Sequence, residues 1–393
     1  MNKTLLAGLC SLALAATAEA DINVGILLGF TGPIESLAPG MADGAELAFA
    51  EVSESGKLLT GDKINVVRAD STCIDAAAAS ASAERMITAD KVVAILGAAC
   101  SGTTTAVANN VAVPKGIPMV SPSATSPALS RLDDQGLFFR TAPSDARQGQ
   151  VLAEIAVQRG VKTIAITYTN NDYGKGLADS FGEAFKALGG EIAIIAAHED
   201  GKADYSAEVG ALSAAGAEDL AVFGYLDQGG RGIIQNALDA GAFSRFVLAD
   251  GMIGESLIEN IDGSLDGSFG TVAGSDSEGA KKFLELAKAA GGDGDGTYRP
   301  ESYDAAALIV LAIQAGKATD GKSIAGNLLR VANAPGEKIY PGELGKALEI
   351  LATGGEIDYQ GATDVTLNET GDANGSYKEM EIKDGKFQAL KIH

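Results

Sequence analysis

From residue 22 onward, short apolar runs rich in β-branched residues alternate with stretches of helical period, and glycine, proline or hydroxyl residues close each run. Runs of this length suit strands covered on both faces, and strand–helix–strand alternation builds a parallel sheet flanked by helices. Strands are expected at Ile22–Leu28, Ile64–Arg68, Val92–Leu96 and Pro118–Ser121, with helices at Ala76–Ile87 and Thr103–Val113 and through Gly44–Ala50. A second series follows Phe138–Thr141. Its strands are expected at Thr163–Thr167, Glu191–Ala196, Leu220–Phe223 and Phe246–Leu248, and its helices at Gln148–Gln158 and Leu177–Leu188. Further helices are expected at Lys281–Ala290, Ser302–Ala315 and Ser323–Val331. Tyr377–Ile382 and Lys386–Ile392 flank Asp384-Gly385, the signature of a hairpin turn. The fold class expected is therefore α/β with two similar parallel-sheet lobes. No low-complexity linker separates the series, so short crossovers should join them.

The first twenty residues read as a signal peptide: Lys3 gives a positive start, Leu5–Ala16 is apolar, and Ala18-Glu19-Ala20 fits the cleavage rule. Asp21 is then the mature N-terminus. Cys10 follows Leu9, where a lipid-attachment motif needs a small residue, so lipidation is not expected. Of the three cysteines, Cys73 and Cys100 remain after cleavage. An even count in an exported chain favours a disulfide, with two buried thiols as the alternative. The formal charge of −22, from 52 acids against 30 Lys and Arg, leaves no basic stripe for phosphates and argues against nucleic-acid partners.

Catalytic chemistry finds little support. Histidine occurs only as His198 and the terminal His393, which leaves a Ser/His/Asp triad or a histidine metal site almost nothing to use. His198, beside Glu199 and Asp200, reads as a surface-turn histidine. No nucleophile elbow, Walker loop or dinucleotide fingerprint follows the first strand. Gly292–Gly296 lacks a full calcium-loop spacing and reads as a solvated loop. No enzyme, metal or cofactor is expected.

Ligands in such sheets lie at the carboxyl ends of strands. The stretch Gly97–Thr105 after the third strand, and Ser121–Pro127 after the fourth, are dense in hydroxyls and open onto helices. Backbone N–H groups and hydroxyls at such a place bind a carboxylate, although the same residues also serve as ordinary caps and turns. Two such loops side by side point to a shared anion pocket.

At these residues the chain resembles a known family. "ILGAACSGTTTA", "GIPMVSPSATSPALS" and "FFRTAPSDARQG", with "VGILLGFTGP" and "NNDYGKGLADSF", resemble the type I periplasmic solute-binding proteins of the leucine/isoleucine/valine-binding branch. The resemblance implies two Rossmann-like lobes joined by three crossovers, which close on a small ligand and present it to the permease of an ABC importer. It places the N-terminal lobe at 21–141 plus 271–357 and the C-terminal lobe at 142–270 plus 358–393. It implies that Ser101, Gly102, Ser123, Ala124 and Thr125 hold a ligand carboxylate, and that Asp250, in "VLADGMIG", meets the ammonium where the leucine-binding type has Glu. Asp250 has a plainer role open to it as a helix cap. Tyr173 and Tyr225 are implied pocket aromatics, strict register placing Leu226 at the latter position, and Tyr303 is a further candidate. Leu37 replaces a family tyrosine in the first loop, which leaves aromatic acids, amides and other amino-acid-like solutes as alternatives to a branched-chain amino acid. Arg140 and Asp145 are expected on the hinge side. The family's disulfide falls on Cys73 and Cys100. The expected partners are the small-molecule ligand and the permease subunits, the expected state is a monomer in the periplasm, and a sensor role is the rival from another class.

Overall fold

The structure, a computed structural model, describes residues 21–292, 294 and 296–393. The signal-peptide segment and, within the Gly292–Gly296 loop, Asp293 and Asp295 lie outside the described residues. Five strands open the chain: β1 (Asp21–Leu28), β2 (Lys63–Asp70), β3 (Ile95–Gly97), β4 (Met119–Ser121) and β5 (Phe138–Pro143). Five more follow as β6 (Thr163–Thr169), β7 (Glu191–His198), β8 (Asp219–Phe223), β9 (Arg245–Leu248) and β10 (Phe269–Ala273). The remainder holds β11 (Glu337–Ile339) and β12 (Ile357–Tyr359), which pair with each other, then β13 (Thr366–Leu367), β14 (Asp372–Asn374), β15 (Tyr377–Lys383) and β16 (Lys386–Ile392).

Two seven-stranded sheets result, in the orders β13-β14-β5-β4-β3-β1-β2 and β16-β15-β10-β9-β8-β6-β7. The interior strands pair in parallel, while β13 and the β15–β16 hairpin add antiparallel edges. The two lobes are thus α/β throughout. Central strands such as β4 and β8 are buried along their whole length, as parallel strands between helix layers must be. Asp384 and Gly385 both take positive φ, of 51° and 67°, and close the hairpin as their dipeptide requires.

Strand membership divides the chain differently from the expected boundaries. β10 lies wholly in the second sheet, past 270, and β13–β14 lie in the first sheet although 358–393 was assigned to the second lobe. The chain crosses between sheets after β5, after β10, and between β14 and β15. The physical reason is local: β14 completes the first sheet by pairing with β5, and only the following hairpin reaches β10.

Two helical expectations also shift. The helix expected over Thr103–Val113 is α-helical only over Ser101–Val107, then widens to a π turn (108–112) and a single 3-10 turn before Gly116. Pro114 has no N–H to continue the ladder. The helix expected from Ser302 starts at Arg299, with Pro300 in its first turn, where a missing N–H costs nothing. This Arg299–Gly316 helix is buried on nearly all sides and packs on the Ala38–Ser55 helix. Gly44 allows that approach, since a Cβ there would stand 2.4 Å from the Arg299 carbonyl oxygen.

His198 is not a surface residue. It ends β7 fully buried, its Nδ1 2.9 Å from the Thr167 hydroxyl and its ring edge-on to Tyr205. Burial holds its pKa down to about 4, so the ring stays neutral. The polar residues that follow, Glu199 and Asp200, form the turn; the histidine itself still belongs to the strand.

Candidate ligand-binding site

The carboxyl ends of both sheets face each other across a small cavity. Ile34, Leu37 and Met41 from the first loop and helix, Ala99, Cys100, Ser101 and Ser123 from the β3 and β4 loops, and Tyr173, Tyr225, Asp250 and Gly251 from the second lobe line it, with Tyr298.

Ser101 opens its helix and is buried. Its hydroxyl oxygen accepts from the Ser126 N–H at 3.1 Å, which leaves the hydroxyl proton to donate elsewhere. Ser123 donates its hydroxyl to the Ala99 carbonyl at 2.9 Å, stitching the two hydroxyl-rich loops together. Arg140 fixes the second loop from behind: Nη1 donates to the carbonyls of Ala124 (3.1 Å) and Ser126 (3.0 Å), Nη2 to Ser130, and Nε to Asp372 at 2.6 Å. The Cys73–Cys100 disulfide is formed, with Cα atoms 5.2 Å apart, and ties the residue preceding Ser101 to the β2 loop. Gly102 lies one residue into the helix, where an added Cβ would meet nothing within 4 Å.

Across the cleft Asp250 is the electrostatic centre. It is fully buried. Oδ1 accepts from the Tyr173 hydroxyl (2.6 Å) and the Gly251 N–H (2.7 Å), and Oδ2 accepts from the Tyr298 hydroxyl. Burial pushes its carboxyl above the usual range, while these donors pull it back. Gly251 has to be glycine here, because a Cβ would stand 2.6 Å from the Gly224 carbonyl oxygen and 2.9 Å from the Tyr173 hydroxyl. Tyr225 stacks on Tyr173 with ring centroids 5.2 Å apart.

A second acid stands behind the β4 loop. Asp145 begins the helix after β5, completely buried, its N–H bonded to the Thr125 carbonyl at 2.9 Å. The Thr125 hydroxyl faces its carboxylate without a well-aligned hydrogen bond. Burial first, and the charge of Asp250 second, push the Asp145 carboxyl well up, against the pull of Thr125 and Arg140. No lysine or arginine is among the lining residues. The cavity therefore combines one buried carboxyl, that of Asp250, with hydroxyl donors and an apolar wall, and a second buried carboxyl stands behind it, a composition that welcomes a cationic group and penalises a net anion.

Of the residues singled out in the sequence, Ser101, Ser123, Tyr173, Tyr225 and Asp250 meet at this cavity. Ala124 and Thr125 are buried in the same loop just behind it. Leu226 turns into the second lobe's core and packs with Leu37, so Tyr225 is the residue that reaches the cavity. Tyr303 does not reach it. That side chain is fully buried in the first lobe and donates to Glu51 at 2.5 Å. The aromatic from this region is Tyr298, which sequence reasoning missed. The available signal was Pro300, which marks a helix start and so places Tyr298 at its cap.

A cleft between two parallel-sheet lobes, closed over a small polar-and-apolar cavity at the strand ends, defines a clamp-type binding protein. A family profile described as "Periplasmic binding protein" matches residues 21–351, and the chain belongs to that family. A Leu/Ile/Val-binding protein of Citrobacter freundii is 31% identical over 264 residues, 67% of this chain and 70% of that protein. Among solved structures, the branched-chain amino acid transporter substrate-binding protein of Streptococcus pneumoniae in complex with isoleucine shares the fold at 24% identity, with a TM-score of 0.77 over 95% of this chain and 99% of that one. A Rhodopseudomonas palustris solute-binding protein in complex with 4-hydroxybenzoate does so at 21% identity and a TM-score of 0.75, over 95% and 97% of the two chains. All three are named as binding proteins.

Proposed function

We propose that the protein is the periplasmic substrate-binding component of an ABC importer, exported with cleavage after Ala20, acting as a monomer and binding a small amino acid, branched-chain or related, between its closing lobes. The observation that carries this reading is the buried Asp250 carboxylate, held by Tyr173, Tyr298 and the Gly251 N–H in a cavity without a lysine or arginine. An ammonium balances that charge. The Ser101 hydroxyl and the backbone around Gly102, Ser123, Ala124 and Thr125 take the carboxylate by charge-assisted hydrogen bonds. Ile34, Leu37 and Met41 supply an apolar wall for the side chain, and Tyr173 and Tyr225 cover the opposite side. Because the ligand touches both lobes, it favours the closed form, which the permease reads.

An aromatic monocarboxylate, the ligand named for one structural neighbour, brings a negative charge next to the buried Asp250 with no ammonium to offset it and is disfavoured. The test is a thermal-unfolding screen of protein refolded free of carried ligand, against the twenty amino acids and 4-hydroxybenzoate. A ligand at 1,000 times its Kd adds ~4 kcal/mol and raises the midpoint visibly. A rise with an aliphatic amino acid supports the reading; a rise with 4-hydroxybenzoate alone overturns the ligand class and leaves the fold assignment standing.

A further inference from the structure

At the rim of the cleft, outside the cavity, the lobes are joined by a cluster of hydrogen bonds centred on Asp227. Its Oδ2 accepts from both the backbone N–H (2.9 Å) and the hydroxyl (2.7 Å) of Ser36, a residue of the other lobe. Its own N–H donates to the Pro33 carbonyl at 3.1 Å, so the contact runs both ways. Within its own lobe Asp227 is held in place: Oδ1 accepts from the Ser256 hydroxyl at 2.7 Å, and the Arg231 guanidinium donates to its carbonyl at 3.0 Å. Neither Ser36 nor Asp227 lines the ligand cavity, but Ile34 and Leu37, on the same turn as Ser36, do. Leu37 also packs against the apolar cluster of the second lobe that contains Leu226. Pulling Ser36 toward Asp227 therefore draws Leu37 over the cavity.

We propose that Asp227 and Ser36 form a closure latch, which sets the population of the closed clamp and thereby the affinity for every ligand by a common factor, without touching the ligand. The proposal rests on the closing-clamp reading of the cavity. A preoriented carboxylate that accepts two hydrogen bonds from one residue is a charge-assisted pair, stronger than neutral hydrogen bonds. When only the closed form holds ligand, weakening that pair lowers apparent affinity in proportion to the closed fraction lost. Residues inside the cavity act differently. Changing one of them alters the ranking of ligands, whereas a latch leaves the ranking as it was. Asp227 and Ser36 are thus positioning residues, and the clamp's affinity is adjustable from outside its binding site.

The experiment uses the mature protein and its Asp227→Ala, Ser36→Ala, Ser36→Thr and Asp227→Ala/Ser36→Ala variants. Single-molecule FRET with one dye on each lobe reads the closed fraction without ligand, and calorimetry reads L-leucine and L-valine. Asp227→Ala is expected to lower the closed fraction and to weaken both amino acids by the same factor, about 5- to 20-fold. Ser36→Ala should do so less, Ser36→Thr should keep wild-type values, and the double variant should be no weaker than Asp227→Ala alone. Unequal losses for the two amino acids, or an unchanged closed fraction with unchanged affinity, overturn the latch. If neither amino acid binds the wild type, the amino-acid reading falls and the latch is judged on closed fraction alone, where no change in Asp227→Ala overturns it.

Discussion

Replacing Asp250 by Asn separates what the cavity does for its ligand from what it costs the fold. The amide keeps the shape. Its oxygen still accepts from the Tyr173 hydroxyl and the Gly251 N–H, and its nitrogen donates to the Tyr298 oxygen, which the carboxylate now holds as a donor. Only the charge is lost. For an amino acid whose ammonium pairs with that charge in a buried site, neutralising one partner costs about 3–5 kcal/mol, which is about 10²- to 4 × 10³-fold in Kd. The effect on stability has the opposite sign. The Asp250 carboxyl is raised above its unfolded value, so the stability its proton contributes is present at low pH and lost as pH rises through the folded value. At neutral pH the wild type therefore carries a burial penalty. Asp250→Asn removes it. Calorimetry with L-leucine and urea unfolding of the ligand-free protein, both at pH 7.5, should show weakened binding together with a urea midpoint equal to or above wild type. A Kd within about threefold of wild type, or a midpoint that falls along with the affinity, would refute the argument, since either result means that Asp250 serves the fold and not the ligand.

Two further outcomes are expected. His198, neutral in the fold with its pKa held at about 4, takes up a proton on unfolding below its ordinary value of 6.5, so stability is lost as pH falls from 6.5 toward 4. The loss approaches about 3 kcal/mol, and His198→Gln should flatten the pH dependence of the urea midpoint across that window. Reducing the Cys73–Cys100 bridge, which spans a sequence separation of 27, should cost about 3–4 kcal/mol in the chain-entropy picture and lower the melting midpoint. An unchanged midpoint after verified reduction would show that the reduced unfolded chain is already restrained there.

The parts of the fold legible in the sequence are those written in local pattern. The runs at Ile22–Leu28 and Leu220–Phe223 are strands because their neighbours on both faces are helices, and an unbroken apolar run states that directly. The hairpin at Asp384-Gly385 was legible for a similarly local reason. β13 and β14 were not, being two- and three-residue strands of which β14 pairs with β5, more than two hundred residues away, and β13 with β14. The cavity divides in the same way. Hydroxyl-rich loops announce themselves after β3 and β4, but Tyr298 belongs to the site only because its helix start is carried back to the cleft by the third dimension. His198 was misjudged because polar neighbours in sequence say nothing about the Tyr205 ring that covers it.

The route of the chain through its two sheets has a consequence for how the molecule comes into being. The first sheet begins at Asp21, yet it is finished by β13 and β14 at residues 366–374, after every other strand of the second sheet but β15 and β16 has been made. Neither half is an autonomous folding unit in chain order, and the amino-terminal half waits for almost the whole polypeptide before its edge is sealed. Assembly is dominated by contacts between segments distant in sequence, the regime in which folding is slow. A molecule built this way is expected to lose both halves in one cooperative step when its last strands are removed.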